Sequence, residues 1–148
     1  MTGKPDTTKL SEAVKAVGPG PRAGAVLVVE SDPDLQWRLA RMLTVSGNRV
    51  VGTSTADGAL ALMEAWQVDL VLVDEALMGL SGIDLARKLH ETHPHVQVVL
   101  MTADDDAHED MHVAARLAGV VACLAKPFRP EAIAELLRLL PAAVPVTA

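Results

Sequence analysis

Residues 70–74 read Leu-Val-Leu-Val-Asp, an unbroken apolar run that ends in a carboxylate. A run of this length without polar alternation is typical of a parallel strand buried on both faces. Residues 25–30, Ala-Val-Leu-Val-Val-Glu, have the same design of apolar residues followed by an acid. Two buried strands that both end in an acid indicate a parallel sheet with a charged site at one edge.

Segments with helical spacing separate these runs from further strand candidates. The predicted strands are Ala25–Val29, Val50-Val51, Leu70–Val73, Val96–Met101 and Val121–Leu124, and the predicted helices that follow them lie around Leu35–Leu43, Ala59–Trp66, Ile83–Leu89, Asp106–Ala118 and Pro130–Leu140. Strands that alternate with helices pair in parallel through right-handed crossovers. The sequence therefore predicts an α/β fold, a doubly wound five-stranded parallel sheet covered by helices on both faces.

The length of 148 residues is that of one domain. Gly18-Pro19-Gly20-Pro21 sustains neither helix nor strand, so residues 1–22 are expected to be a flexible leader. Residues 141–148 contain two prolines and no charge, and we expect a loose C-terminal tail there. The folded domain is predicted to span residues 23–140.

Composition excludes several classes of protein. A net charge of -6 and an aromatic content of 2% are unfavourable for direct nucleic-acid binding, which uses cationic surfaces and stacking rings. The single cysteine, Cys123, excludes an intramolecular disulfide and a cysteine-cluster zinc site. No apolar run approaches the roughly 20 residues that span a bilayer, and residues 1–22 lack the apolar core of a signal peptide. We therefore expect a cytoplasmic protein without a membrane segment.

Polar residues follow the strands of the predicted sheet. Glu30, Ser31 and Asp32 come after the first strand, Asp74 ends the third, Thr102 ends the fourth and Lys126 follows the fifth. Ligand sites of such folds lie beyond the carboxyl ends of the strands. Carboxylates at this density need a cation, and oxygen ligands with room for water suit Mg²⁺. An aspartate beside a metal and a lysine can act as a nucleophile toward a phosphoryl group, whose oxygens the hydroxyl and the ammonium would bind.

In their order and spacing these segments resemble the response-regulator receiver domains, which have a (βα)5, CheY-like and flavodoxin-like sandwich. The matching pieces are Val28–Pro33, Asp69–Asp74, Gly79–Gly82, Met101–Ala103, Ala118-Gly119 and Lys126–Phe128. The resemblance implies that Asp74 is the phosphoacceptor, with Thr102 and Lys126 as partners of the phosphoryl group. It also implies a cis peptide bond before Pro127.

The resemblance further implies a metal, partners and a role. Mg²⁺ would be held by Asp74, by the acidic pair after the first strand, here beginning with Glu30, and by the backbone carbonyl of Ala76. A histidine kinase or a histidine phosphotransfer protein would donate the phosphoryl group, and an unidentified downstream protein would read the change. Two copies would pair through the face of the fourth and fifth helices. The chain would not be an enzyme, apart from self-catalysed phosphotransfer and dephosphorylation.

The chain departs from the family pattern at three positions. Ser31 stands where the family usually has its second acid, the direct metal ligand, and Asp32 comes one residue later. Met78 stands where the family often has proline. Cys123 occupies the switch position, at which the family usually has Tyr or Phe. These departures predict weaker or water-mediated Mg²⁺ binding and put the aromatic switch in doubt.

Two other functions stay open. A degenerate receiver would keep the fold and dock partners without phosphorylation, as the residues Ser31 and Cys123 favour. A zinc hydrolase is suggested by His108-Glu109-Asp110-Met111-His112, which matches H-E-x-x-H and would take Glu131 or Glu135 as its third ligand. A phosphatase of the haloacid-dehalogenase type would need a second aspartate at position 76, where this chain has Ala76.

Overall fold

The computed structural model describes residues 25–103 and 109–138. In these residues strands and helices alternate along the chain, as β1 (Ala25–Val29), α1 (Pro33–Val45), β2 (Arg49–Thr53), α2 (Ala56–Ala65), β3 (Leu70–Asp74), α3 (Gly82–Thr92), β4 (Gln97–Thr102), α4 (Glu109–Leu117), β5 (Val120–Ala125) and α5 (Pro130–Leu137). The predicted leader and tail lie outside the described residues and stay predictions.

The strands form one parallel sheet in the order β2-β1-β3-β4-β5. Alternate residues of β1 face opposite sides: Val26 and Val28 pack in the core with α1 and α5, and Leu27 and Val29 pack in the core with α2 and α3. Both faces of the central strands are therefore buried, which explains the unbroken apolar runs. The predicted doubly wound α/β fold is confirmed.

Local capping sets where the helices begin. Pro33 is the first residue of α1, and the carboxylate of Asp32 accepts a hydrogen bond from the amide of Asp34. α2 begins at Ala56, earlier than predicted, because the hydroxyl of Thr55 caps it by accepting from the amide of Gly58. The predicted start of the fourth helix at Asp106 falls outside the described residues.

The length of β2 and the character of the helices test two further predictions. β2 extends to Arg49–Thr53, beyond the two valines predicted for it, because it pairs with β1 along the whole length of both strands. None of the helices within residues 25–103 and 109–138 has both the length and the apolar character needed to cross a bilayer.

Candidate functional site

Four strand ends meet at the carboxyl edge of the sheet. β1 and β3 are neighbours, with Val29 in register with Val73, so Glu30 and Asp74 follow at adjacent positions. β4 ends at Thr102 beside β3, and the backbone amide of Lys126 donates to the carbonyl of Thr102 at 2.7 Å. The strand order thus brings together residues that are far apart in the sequence.

Lys126 lies between two buried carboxylates. Its Nζ is 2.8 Å from Oε1 of Glu30 and 3.2 Å from Oδ1 of Asp74. Glu30 is 1% exposed and Asp74 is 5% exposed, whereas the Lys126 side chain keeps 20% of its surface in solvent. Buried charges persist only when they are paired. Lys126 therefore pairs with both carboxylates but offsets only one of their two negative charges.

Burial and the neighbouring charges shift the pKa values of Glu30 and Lys126 in opposite directions. Burial raises the pKa of the Glu30 carboxyl above its usual value, and the hydrogen bond from Lys126 opposes this without cancelling it. Burial alone would lower the pKa of Lys126, but its bonds to Glu30 and Asp74 outweigh burial and raise that pKa. The lysine consequently stays a cation beside the two acids.

The loop between β1 and α1 uses its three polar residues differently. Glu30 points inward, and its Oε2 accepts from the amide of Asp32 at 3.0 Å. The carboxylate of Asp32 is exposed and caps α1 through the amide of Asp34 at 3.0 Å. Ser31 is exposed as well. Of these three side chains, Glu30 is the one that contacts Lys126.

The loop after β3 begins at Asp74 and contributes backbone groups. Oδ1 of Asp74 accepts from the amide of Ala76 at 3.3 Å, so this carboxylate organises the loop that follows it. Gly82 at the start of α3 closes the loop, with its amide bonded to the carbonyl of Glu75 at 3.0 Å. On the opposite side of the site, the Lys126–Pro127 peptide bond is cis, as the resemblance implies.

This arrangement matches a known family along most of the chain. Residues 26–138 match the model of the response regulator receiver domain. The chain belongs to the response-regulator receiver family. Its five-stranded sheet and flanking helices are those of a receiver domain.

Relatives and solved structures agree with this assignment. The receiver is 34% identical over 116 residues to the positive alginate biosynthesis regulatory protein of Pseudomonas aeruginosa, covering 76% of this chain and 45% of that protein. It is 31% identical over 105 residues to the DNA-binding transcriptional regulator NtrC of Salmonella typhimurium, covering 71% of this chain and 22% of that protein. The chain thus spans less than half the length of these relatives.

Solved receiver domains share its fold. A CheY-like receiver domain protein from Methanospirillum hungatei superposes with a TM-score of 0.73 at 26% identity, covering 78% of this chain and 90% of that one. The receiver domain of NtrX from Brucella abortus gives a TM-score of 0.72 at 26% identity, covering 80% and 99%.

The oxygen donors of this receiver suit a hydrated Mg²⁺ ion. Glu30 and Asp74 bring two buried carboxylates to this edge, and the single ammonium of Lys126 lies between them, so one negative charge is left for a bound cation to offset. Within the described residues no cluster of three or more acidic, histidine or cysteine side chains has the arrangement of a metal site. Mg²⁺ is commonly held by one or two carboxylates and keeps several waters. The residues therefore fit a water-rich magnesium site rather than one with three carboxylates.

Residues 109–112 of the H-E-x-x-H segment form the start of α4, the helix that follows β4. His112 is exposed and lies at a surface depression that also contains Arg116 and Cys123. His108 and the side chain of Glu109 lie outside the described residues. The acids suggested as third ligand, Glu131 and Glu135, are exposed on α5. Among the described residues, His112 belongs to no group of three or more histidine, cysteine or acidic side chains that could hold a metal ion.

Cys123 lies on β5, opposite Leu100 of β4, and is exposed at the surface over part of its side chain. Partial burial of the thiol raises its pKa, which disfavours the reactive thiolate. Position 123, where the resemblance places the switch residue, therefore carries a small side chain at the surface rather than a ring.

Sequence reasoning missed one buried polar residue, Gln36. Its side-chain Nε2 donates to the carbonyls of Glu30 at 2.8 Å and Thr53 at 3.1 Å. A glutamine on a helix is usually exposed. The available signal was spacing, because Gln36 lies on the same helix face as the buried residues Leu39, Ala40 and Leu43.

Proposed function

We propose that Asp74 accepts a phosphoryl group from the phosphohistidine of a histidine kinase or a histidine phosphotransfer protein. The observation that carries the proposal is the buried Asp74 carboxylate with Lys126 Nζ at 3.2 Å, at the same edge as Glu30 and Thr102. Membership of the receiver family supports the same role. The changed surface then alters binding to a downstream protein.

The transfer needs a nucleophile and positive charge near the phosphoryl oxygens. A carboxylate oxygen of Asp74 attacks phosphorus and forms an acyl phosphate O–P bond. The P–N bond to the donor histidine breaks, and its electron pair stays on the imidazole nitrogen, which then takes up a proton. Lys126 offsets the negative charge, and the hydroxyl of the buried Thr102 donates to a phosphoryl oxygen.

Mg²⁺ completes the positive charge of this site when it is bound. Glu30, Asp74 and the backbone carbonyl of Ala76 would hold it, with water in its other positions. Ser31 would contribute at most a neutral oxygen. Because Ser31 replaces a charged ligand of the family, the affinity of this receiver for Mg²⁺ is expected to be lower than with an acid there.

A groove beside the site suits the donor protein. It has a volume of about 610 Å³ and lies between α1 and the loop that connects β5 to α5. Leu35, Met42 and Phe128 line its apolar wall, Arg38 and Arg41 lie along α1, and Lys126 lies at the end next to Asp74. A donor helix with apolar and acidic side chains would bring its phosphohistidine to Asp74 from this groove.

The test is phosphorylation with a small-molecule donor. The chain is incubated with phosphoramidate and Mg²⁺, and its intact mass is measured, with Asp74→Asn as the matched control. The wild type is expected to gain one phosphoryl group and Asp74→Asn none. An unchanged wild-type mass, under conditions that label another receiver domain, would contradict the proposal.

A second candidate function is docking without phosphorylation. It is favoured by the exposed Ser31 at the position of the metal-binding acid and by the small Cys123 at the switch position. Mg²⁺ affinity separates the two functions. Loss of binding at millimolar Mg²⁺ would favour the docking module, and binding in that range would favour the phosphoacceptor.

The remaining assignments are proposals of the same kind. Exposed apolar side chains on α4 and β5, which are Val113, Leu117 and Val121, offer a surface for a second copy or for the downstream protein. The acidic net charge supports a role without direct contact to nucleic acid. A free cysteine suits the reducing cytoplasm.

A further inference from the structure

Gln36 joins two strand ends at the edge of the site. It is 4% exposed, and its Nε2 donates to the carbonyl of Glu30 at 2.8 Å and to that of Thr53 at 3.1 Å. These two carbonyls lie at the carboxyl ends of β1 and β2. A buried amide with two such bonds ties the start of the acidic loop to the sheet.

Further hydrogen bonds hold the same loop to the end of β2 and to itself. The amide of Glu30 donates to the carbonyl of Thr53 at 3.0 Å, and the amide of Gln36 donates to the carbonyl of Asp32 at 2.9 Å. The amide of Asp32 donates to Oε2 of Glu30 at 3.0 Å. The remaining carboxylate oxygen of Glu30, Oε1, faces Lys126 at 2.8 Å. The direction of the Glu30 side chain is therefore coupled to the backbone that Gln36 holds.

We propose that Gln36 is a positioning residue of the phosphoacceptor site. It holds the carbonyl of Glu30 so that the carboxylate of Glu30 faces Lys126, which in turn faces Asp74. Loss of its amide leaves the carbonyl of Glu30 without this donor, whereas the carbonyl of Thr53 keeps its bond from the amide of Glu30. The loop at Glu30 must then shift to recover a partner. The expected effect on phosphorylation rests on the proposed function, whereas the effect on the loop does not.

The test compares the amide side chain of Gln36, in the first turn of α1, with that of Asn48, in the loop after α1. Gln36→Met keeps the side-chain size and removes the donor. The control Asn48→Leu removes a similar bond, from Nδ2 of Asn48 to the carbonyl of Leu43 at 3.1 Å. Phosphoramidate labelling of Asp74 is expected to slow by at least about tenfold in Gln36→Met, as for other residues that orient a site. Asn48→Leu is expected to label at the wild-type rate.

Hydrogen exchange supplies a readout that does not depend on phosphorylation. The amide of Asp32 is expected to exchange faster in Gln36→Met and at the wild-type rate in Asn48→Leu. Wild-type labelling by folded Gln36→Met, or equal slowing in Asn48→Leu, would overturn the inference. If Gln36→Met does not fold, Gln36→Asn takes its place. Asparagine keeps a polar amide, but its side chain is one methylene shorter and places that amide farther from the carbonyls of Glu30 and Thr53.

The two proposals fail separately. If the wild type is not labelled, the proposed function fails and the exchange of the Asp32 amide decides the positioning role by itself. Exchange that is faster in Gln36→Met alone supports the role. Unchanged exchange in that variant overturns it.

Discussion

Lys126 Nζ lies 2.8 Å from Oε1 of Glu30, although the two residues belong to opposite ends of the domain sequence. The same ammonium lies 3.2 Å from Oδ1 of Asp74, so one lysine forms ion pairs with two buried carboxylates. This contact joins the loops after β1, β3 and β5 into one charged site. The stability of the fold and the chemistry of the site therefore depend on the same side chain.

Lys126→Met is expected to destabilise the receiver by about 3 kcal/mol, because it leaves two buried carboxylates without their cation. Urea unfolding at pH 7 measures the change. Lys88→Met, at an exposed lysine on α3, is the control and should change stability by no more than about 0.5 kcal/mol. A Lys126→Met variant as stable as this control would show that the ion cluster is not stabilising.

The ion pairs of Lys126 with Glu30 and Asp74 also predict that the receiver loses stability at high pH. The pKa of Lys126 is raised above its usual 10.5, because its bonds to Glu30 and Asp74 outweigh its burial. A raised folded-state pKa of a cation contributes stability that is fully present below pH 10.5 and is lost as pH rises through the raised value.

Urea unfolding between pH 9 and pH 12 checks this window. The chain has no tyrosine to titrate in it, and a Cys123→Ser background removes the thiol. The fall in stability should be steeper with Lys126 than in Lys126→Met. Equal slopes would contradict the raised pKa.

Ser31→Asp is expected to raise Mg²⁺ affinity by at least about tenfold, because the number of charged ligands sets the affinity of such sites. Isothermal titration with MgCl₂ measures it. Asp32→Ala is the matched variant: it removes the cap of α1 and should cost about 1 kcal/mol of stability without changing Mg²⁺ affinity. A loss of Mg²⁺ binding in Asp32→Ala would instead identify Asp32 as a ligand.

Gly82→Ala is expected to disturb the loop that carries Asp74. A Cβ at position 82 would collide with the carbonyl oxygen of Asp74 and come within 2.8 Å of Cα of Glu75. Such overpacking against backbone costs about 1–3 kcal/mol, and it should also slow labelling of Asp74.

Ser81→Ala is the control for Gly82→Ala. It removes the cap of the same helix, the bond from the amide of Asp84 to the hydroxyl of Ser81, and leaves the space beside Asp74 unchanged. It should lose about 1 kcal/mol of stability and label at the wild-type rate. Normal labelling in Gly82→Ala would show that the loop accommodates the methyl group.

Cys123→Tyr is expected to fold with a stability within about 0.5 kcal/mol of the wild type, because the side chain is exposed on β5. The added ring restores the residue type that the family usually has at its switch position. We expect stronger coupling between phosphorylation and partner binding, measured as the ratio of affinities with and without the phosphoryl group. Gross unfolding by circular dichroism would show that the position is closed to a ring.

The fold was predictable because its signals are local. Continuous apolar runs at residues 25–29 and 70–73 predicted doubly buried strands, and both are central in the sheet. The start of α2 was predicted too late, because the capping hydroxyl of Thr55 was not recognised. The flexible leader at residues 1–22 and the loose tail at residues 141–148 stay predictions, because these residues lie outside the described part of the chain.

The sequence predicts which residues meet at the site but not the directions of their side chains. Alternating strands and helices by themselves required Glu30, Asp74, Thr102 and Lys126 to lie at one edge, because parallel strands share their carboxyl ends. Which carboxylate points inward was decided by tertiary structure. Glu30 is held inward by Lys126 and by the backbone of Asp32, whereas Asp32 turns outward to cap α1. The spacing of Gln36 indicates a buried side chain, but its two carbonyl partners were decided by the tertiary structure, because hydrogen bonds between elements leave no periodic trace in a sequence.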